Sequence, residues 1–430
     1  MKRKRAGSAQ SKPTATHQPP NKQPMSEVPT VYLDCSDFSR LSDARRLTID
    51  LRALRGELLA LSHSGAAMFV FSMVHICEMS PLEASSADHA SARADFLSDL
   101  CGRNALVSFD QLLLSEVERL AHLEPTPVHA ITTDATWFPP TSGFISPARA
   151  LEGFQLTLDA KLQAHGMNHA ARRVMMRRAF KNGSLRLEMR QMLIREGLFG
   201  ALDEVFEQYP MRPQDASVLW RYVMGLATCE AAEAAFLASL RDPRWMMRWF
   251  KGHHARLSPL VTWLREPSAA LAERIAQVIM PAQRVLRSAQ RPDVAQQLRS
   301  ELLVRWDEMR EQILVAVANA VRRISLPDSP DVTEARLVAA RCPGLTAMVD
   351  SVMLAARDAL GQHPRELTAN DVRDAMHAVY APYVSVFRAD RYMAQHVRRA
   401  TAGRGVIVAS TLEELPMLLN HMGRSPARTA

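Results

Sequence analysis

The chain has 430 residues, 47% hydrophobic and 23% charged, more than one ordinary core holds and too apolar for a disordered chain, so two or three globular domains are expected. A formal net charge of +8 favours an anionic partner, nucleic acid first. The five cysteines, Cys35, Cys77, Cys101, Cys229 and Cys342, include no CxxC pair; they read as scattered thiols of a reducing compartment, with neither a disulfide framework nor a zinc site expected.

Residues 1–28 are polar and Pro-rich, and carry Lys2, Arg3, Lys4, Arg5, Lys12 and Lys22. They predict a disordered, basic, solubilising tail. With no apolar h-region behind that start, and with the most apolar stretch, 65–79, too short to span a bilayer, the chain is expected in the cytoplasm, away from membranes. A strand is predicted at 28–33, then a helix at 42–62, a second buried strand at 66–72 and helical periodicity from Val74. That periodicity breaks at Ser80-Pro81 and returns at 91–100, before a short strand at 105–109 and a helix at 110–123. Residues 124–147, rich in Pro, Thr and Gly, read as a linker or long surface loop. From 148 to 356 nearly everything has helical period. Breaks are expected near Gly166, Gly183, Pro210 to Pro213, Pro243, Pro259, Pro281, Pro292, Pro327 to Pro330 and Pro343. No fixed repeat is visible, so a helical bundle is expected. Towards the end come a helix start capped by Thr368 or Asn370, a strand at 383–387, a helix at 392–400, a strand at 405–409, a helix at 412–422 and a disordered tail at 424–430. Strands alternating with helices at both ends predict one parallel-sheet α/β domain, 29–123 with 357–423, interrupted by an all-α insertion at 148–356.

Acidic residues punctuate that α/β pattern. Asp34 ends the first strand with Asp37 three residues on, Glu78 lies six residues after the second strand, and Asp371 and Asp374 share one helix face. Asp390 follows the strand near the end. In an open parallel sheet, ligands bind at the carboxyl ends of the strands. Several carboxylates gathered there repel one another unless a cation sits among them, and their hard oxygens suit Mg²⁺ or Mn²⁺. Such a cation activates water and neutralises phosphoryl charge, the requirements of phosphodiester hydrolysis. Taken singly, each Asp is also what a helix cap needs.

The segments VYLDCSDFSRL, FVFSMVHICEM, NDVRDAMHAVYAPYVSVFRADRYMA and GVIVASTLEELPMLL, in this order, resemble the successive motifs of PIN-domain ribonucleases. The resemblance spans about 90 residues at the front and 60 at the back. It implies a three-layer PIN-like domain and metal-dependent cleavage of RNA, often in a toxin or defence setting that includes an inhibitory partner protein. It also implies Asp34, Glu78, Asp374 and Asp390 as the catalytic, metal-holding set, with Asp371 auxiliary to Asp374. Arg388 stands where the family commonly has Thr or Ser, and His377 where small apolar residues are usual. His377 reads either as a phosphate or proton-transfer group or as a core histidine. A haloacid-dehalogenase phosphatase is excluded, because the second Asp follows Asp34 at three residues and not two.

Arg172, Arg173, Arg177 and Arg178, which cluster in a basic helical stretch, read either as nucleic-acid contacts or as a solvated basic face, and nucleic-acid contacts are also expected from Arg388 and Arg391 beside the last acid. A second basic stretch interleaves Arg244, Arg248, Lys251 and Arg256 with Trp245, Trp249 and Phe250, where core packing of the tryptophans is favoured. The alternative to a nuclease is a catalytically inactive PIN-like scaffold carrying a helical protein- or RNA-interaction module.

Overall fold

The computed structural model describes residues 28–79, 87–122, 128–133, 135–137, 147–181, 184–196, 211–240, 242–245, 254–289, 291–361, 365 and 367–424. The tails expected at 1–28 and 424–430 lie outside these apart from residues 28 and 424, as do Arg248, Trp249, Phe250 and Lys251.

Eight short strands occur among the described residues: β1 (Thr30–Tyr32), β2 (Met68–Val70), β3 (Ala105–Leu106), β4 (Ile131–Thr132), β5 (Phe180–Lys181), β6 (Ser184–Leu185), β7 (Val386–Arg388) and β8 (Ile407–Ala409). A parallel four-stranded sheet has the order β2-β1-β7-β8. Its register pairs Val31 with Phe69 and Val386, and Phe387 with Val408. One parallel bridge, Phe71 to Ala105, continues the sheet onto β3. The ends of the chain therefore meet in the middle of one sheet, as the split-domain reading expects. Thr30 and Ser385 fasten the seam, with the Thr30 amide donating to Ser385 Oγ at 3.1 Å and the Ser385 amide to Thr30 Oγ1 at 2.9 Å.

Both faces of the sheet are covered, as parallel sheets require. Side chains alternate along each strand. Val31, Phe69, Phe71 and Val386 point into one core and Tyr32, Val70, Phe387 and Val408 into the other. The first core is closed by α1 (Cys35–Ser42), α2 (Ile49–His63), α4 (Ala87–Cys101) and the last helix, Leu415–Arg424; α3 (Met73–Met79) contributes to both. The second is closed by α5 (Phe109–Ala121) and the helices Pro343–Asp358, Ala369–His377 and Arg391–Ala400.

The helical segment is not the separate insertion expected. Leu219, Ala232 and Phe236, from helices Pro213–Val223 and Cys229–Leu240, join the first core. Ile279, Trp306, Leu314, Val338 and Leu345 join the second. An amphipathic stripe specifies burial but not a partner, and here much of the burial is against the α/β domain. The expected boundary at 357 is crossed by packing, since helix Pro343–Asp358 lies against Arg391–Ala400 and the 3₁₀ segment Ala378–Tyr383. The expected linker also carries structure: β4 pairs antiparallel with β3, and buried Trp137 meets Phe71 edge-on at 5.2 Å.

Prolines explain several boundaries. Pro213, Pro292 and Pro343 open helices, where the missing N–H costs nothing. Pro259 and Pro281, expected as breaks, lie inside the helix His254–Ser288. No single described helix is long and apolar enough to cross a membrane; Ala335–Arg341 and Pro343–Asp358 reach that composition only as a pair bent by 117°.

Candidate active site

Strand order reverses between β1 and β7, since β1 is followed by β2 on one side and β7 by β8 on the other. The carboxyl ends of these neighbours open the crevice that a switch point provides. Asp34 and Asp390 stand there, each two residues past its strand. Both are helix caps. Asp34 Oδ1 accepts the Ser36 amide at 2.7 Å, and Asp37 completes a capping box by accepting the Asp34 amide at 3.2 Å. Asp390 Oδ1 accepts the Met393 amide at 2.6 Å. Capping engages Oδ1 of each carboxylate, and the Asp34 side chain also takes the Asp37 amide in its box.

Helix Ala369–His377 brings a third carboxylate. Thr368 caps it, in a reciprocal box with Asp371. One turn on, Asp374 is half-buried and accepts no hydrogen bond among the described residues. Burial first, and then the charges of Asp34, Glu78 and Asp390, push its carboxyl up to about 8, against the opposing charge of His377. The charges of Asp34, Glu78 and Asp390 thus reach Asp374, while among the described residues no three of these four acids offer donor atoms within 4.8 Å of one another.

Glu78, on α3, behaves differently. Burial would raise its carboxyl, but His377, 3.4 Å away from Nε2 to Oε2, carries it down to about 2. Burial in turn opposes the charge on His377, yet Glu78, Asp34 and Asp374 outweigh it and raise the imidazole above its ordinary value. The other ring nitrogen, Nδ1, lies 2.5 Å from the Tyr32 hydroxyl, itself 2.7 Å from Ser72 Oγ. The result is a continuous polar chain, Ser72–Tyr32–His377–Glu78, under the acidic cluster. His75 lies beside it. Its Nδ1 accepts the Ser72 amide at 3.1 Å, which leaves the proton on Nε2 for the Leu33 carbonyl at 2.8 Å. Burial and then His377 depress it to about 3, so it is a neutral strut between β1 and β2.

Cys35 was expected only as one of the scattered thiols. Its Sγ stands 3.9 Å from His377 Nε2, and Cys35, Glu78 and His377 offer donor atoms within 4.8 Å of one another. A Cys–His nucleophile is not what this builds. Cys35 and Glu78 share one ring nitrogen, whereas a relay needs two. Burial and then the charges of Glu78 and Asp34 also push the thiol well above its ordinary value, away from the reactive thiolate.

Two expected residues are used elsewhere. Asp371 is buried, accepts the Thr368 amide at 2.7 Å and pairs with Arg365 at 2.8 Å. Capping consumes its carboxylate, so it is not an auxiliary metal ligand. Arg388 points from the end of β7 to Asp37, 3.0 Å away and fully buried, so it is a core ion pair and not a nucleic-acid contact. Arg391, by contrast, is exposed beside Asp390. On helix His169–Ala179, Arg173, Arg177 and Arg178 are exposed, while Arg172 pairs with Asp159 at 3.2 Å. Arg244 pairs with Asp95 and Asp99 of α4.

Tyr32 and Ser72 carry no role in the sequence pattern alone, and Cys35 none beyond that of a scattered thiol. One signal was available: Cys35 adjoins Asp34, and His377 lies one turn from Asp374.

Neither a protein-family model, nor a curated protein, nor a solved structure matches this chain.

Proposed function

We propose that this chain is a metal-dependent nuclease, most plainly an endoribonuclease of the cytoplasm, built on a PIN-like domain. The observation that carries the reading is Asp374, a half-buried carboxyl without a hydrogen-bond partner among the described residues, crowded by Asp34, Glu78 and Asp390 at the switch point. Such crowding is costly unless a cation relieves it. The donor chemistry suits one, since the carboxylate oxygens of Asp34, Asp374 and Asp390 are hard ligands of the kind Mg²⁺ and Mn²⁺ take; they would have to close in on it, because among the described residues no three of the four acids offer donor atoms within 4.8 Å of one another. Asp34, Asp374, Asp390 and Glu78 would hold it. When bound, the cation polarises the phosphoryl oxygens and lowers the pKa of water for in-line attack.

The chain's own residues supply the rest. Asp374, its carboxyl near 8 without a cation, holds a proton near neutrality that a bound cation would displace. His377 keeps Glu78 ionised and oriented, and Tyr32 fixes the His377 ring through Nδ1. Arg391, exposed at the rim, is placed to meet a phosphate.

Cleavage of a labelled RNA pool in Mn²⁺, Mg²⁺ or EDTA, with wild type beside Asp34→Asn, tests this. Asn caps a helix about as well as Asp, so the variant keeps α1 and loses only the charge. Metal-dependent cleavage that vanishes in Asp34→Asn is the expected result. The second reading, an inactive scaffold with a helical interaction module, draws on the His377–Glu78 pair, an internal cation that already answers one acid. Folded wild type that cleaves nothing in any metal, with no inhibitory partner protein bound, would favour it.

A further inference from the structure

α1 leads away from the acidic cluster. Cys35, Ser39 and Ser42 recur along one of its faces, and Ser39 Oγ donates to the Cys35 carbonyl at 3.3 Å. α4 packs beside it. Between the two helices lies a cleft of about 240 Å³, lined by Ser39, Ser42, Asp43, Arg46, His89 and Arg93 among others. Small-molecule pockets run from roughly 300 to 1,000 Å³, so this one suits a single charged group and not a whole cofactor.

Its charge is positive. Asp43 is the only carboxylate among the residues lining it, and is already answered by Arg46 at 3.4 Å and by the Arg45 amide at 3.0 Å. Arg93 Nε donates to the His89 carbonyl at 3.2 Å, and among the described residues no carboxylate meets the guanidinium. α1 carries Asp34 and Cys35 at its start and Ser39 and Ser42 in the cleft, so the cleft continues from the acidic end of that helix. The Ser42 hydroxyl and the His89 ring line it as further polar groups. Along α1, Ser42 lies about 10 Å beyond Cys35 at 1.5 Å per residue, on the order of three stacked nucleotides at about 3.4 Å each.

We propose that the cleft between α1 and α4 is a phosphate subsite, in which Arg93 and Arg46 hold the backbone of a single-stranded RNA two or three nucleotides from the scissile bond. It rests on the nuclease reading for what lies next to it, but it makes its own claim about binding. The contact is to phosphate, so it is blind to base sequence.

The test uses the full chain and a fluorescein-labelled single-stranded RNA oligonucleotide, followed by anisotropy in EDTA across a salt series. Arg93→Gln is expected to weaken binding about tenfold and to remove about 0.7 from the log–log salt slope, the share of one phosphate on a single strand. Arg93→Lys, which keeps the charge, should restore most of that slope. In cleavage assays Arg93→Gln should raise KM with little change in kcat, the mark of uniform binding. Arg305→Gln, an exposed arginine on helix Pro292–Ser325 and outside the cleft, is the comparison. If Arg93→Gln binds as wild type does, or if Arg305→Gln loses as much, the subsite is wrong while any observed cleavage keeps the nuclease reading. If wild type cleaves nothing yet Arg93→Gln still loses RNA, the nuclease reading fails and the subsite stands.

Discussion

Arg388 donates from Nη2 to Oδ1 of Asp37 across 3.0 Å, with the arginine side chain 6% exposed and the aspartate not at all. The pair joins the end of β7 to the first turn of α1, directly beneath the two strand-end acids. Removing one partner leaves the other charge buried and alone, at a cost of about 3–5 kcal/mol. Arg388→Met should therefore lower stability by that order in urea unfolding. Removing both charges with Asp37→Leu and Arg388→Met should recover much of the loss, less the cap that Asp37 gives the Asp34 amide. A single variant as stable as wild type would mean the pair does not carry the site floor.

Asp374 links the site to pH. Its folded value, about 8, lies above its ordinary 3.8. Below the ordinary value both states hold the proton and its contribution to stability is whole. Between the two values the unfolded chain releases a proton that the folded chain keeps, so stability falls as pH rises. A cation at the site replaces that proton. The rise in Tm on adding Mg²⁺ or Mn²⁺ should therefore be larger near pH 8 than near pH 5. Asp374→Asn should flatten both the metal-free pH slope and the metal response. Equal Tm gains at both pH values would argue that Asp374 is not a ligand.

His377 should titrate late. Burial works against its charge, but Glu78, Asp34 and Asp374 raise it above 6.5. Imidazole ¹⁵N shifts should show a midpoint above that value, falling in Glu78→Gln as the strongest of the three charges goes. A midpoint that does not respond to Glu78→Gln would place the countercharge elsewhere.

Glu116 on α5 ties the helical segment to the sheet domain. Its oxygens accept the amides of Gly344 and Leu345 at 2.6 and 2.9 Å and the Tyr383 hydroxyl. Glu116→Ala would orphan two buried amides, each worth about 1–3 kcal/mol. Gly344 explains itself here, since a Cβ would sit 2.6 Å from the Val379 carbonyl and 3.0 Å from Glu116 Oε1. Gly344→Ala should cost at least as much as Glu116→Ala in the same denaturation assay, because backbone cannot step aside as a side chain can.

How far the sequence was readable follows from the range of each interaction. The strands of the parallel sheet were visible as β-branched and aromatic runs, and the Thr368 cap as a local pattern of four residues, whereas β4, β5 and β6 were not expected. Placing β7 failed by three residues, since Tyr383 ends a 3₁₀ segment instead of opening the strand. Asp34 and Asp390 were legible as strand-end acids, but so was their capping role, and the structure has both. What stayed hidden was long-range. Arg388 reads naturally beside Asp390, two residues away, yet its partner Asp37 is 351 residues distant. Tyr32 looked like an ordinary strand aromatic, and nothing local says that its hydroxyl reaches His377, 345 residues on. The helices announced that they would be buried; their distribution over both faces of the sheet is a property of the whole chain.

The seam between Thr30 and Ser385 joins residues 355 apart, and it sets a timetable. A ribosome making about 5–20 residues per second exposes β1 and β2 on the order of 20 to 70 seconds before β7 exists to complete the sheet. Until then the nascent chain displays Asp34 and Glu78 without Asp374 or Asp390. A prematurely terminated product would hold half of the acids and an open sheet edge. Read as a nuclease, the chain would be inert until Asp374 and Asp390 emerge, because these two supply the other half of the acids.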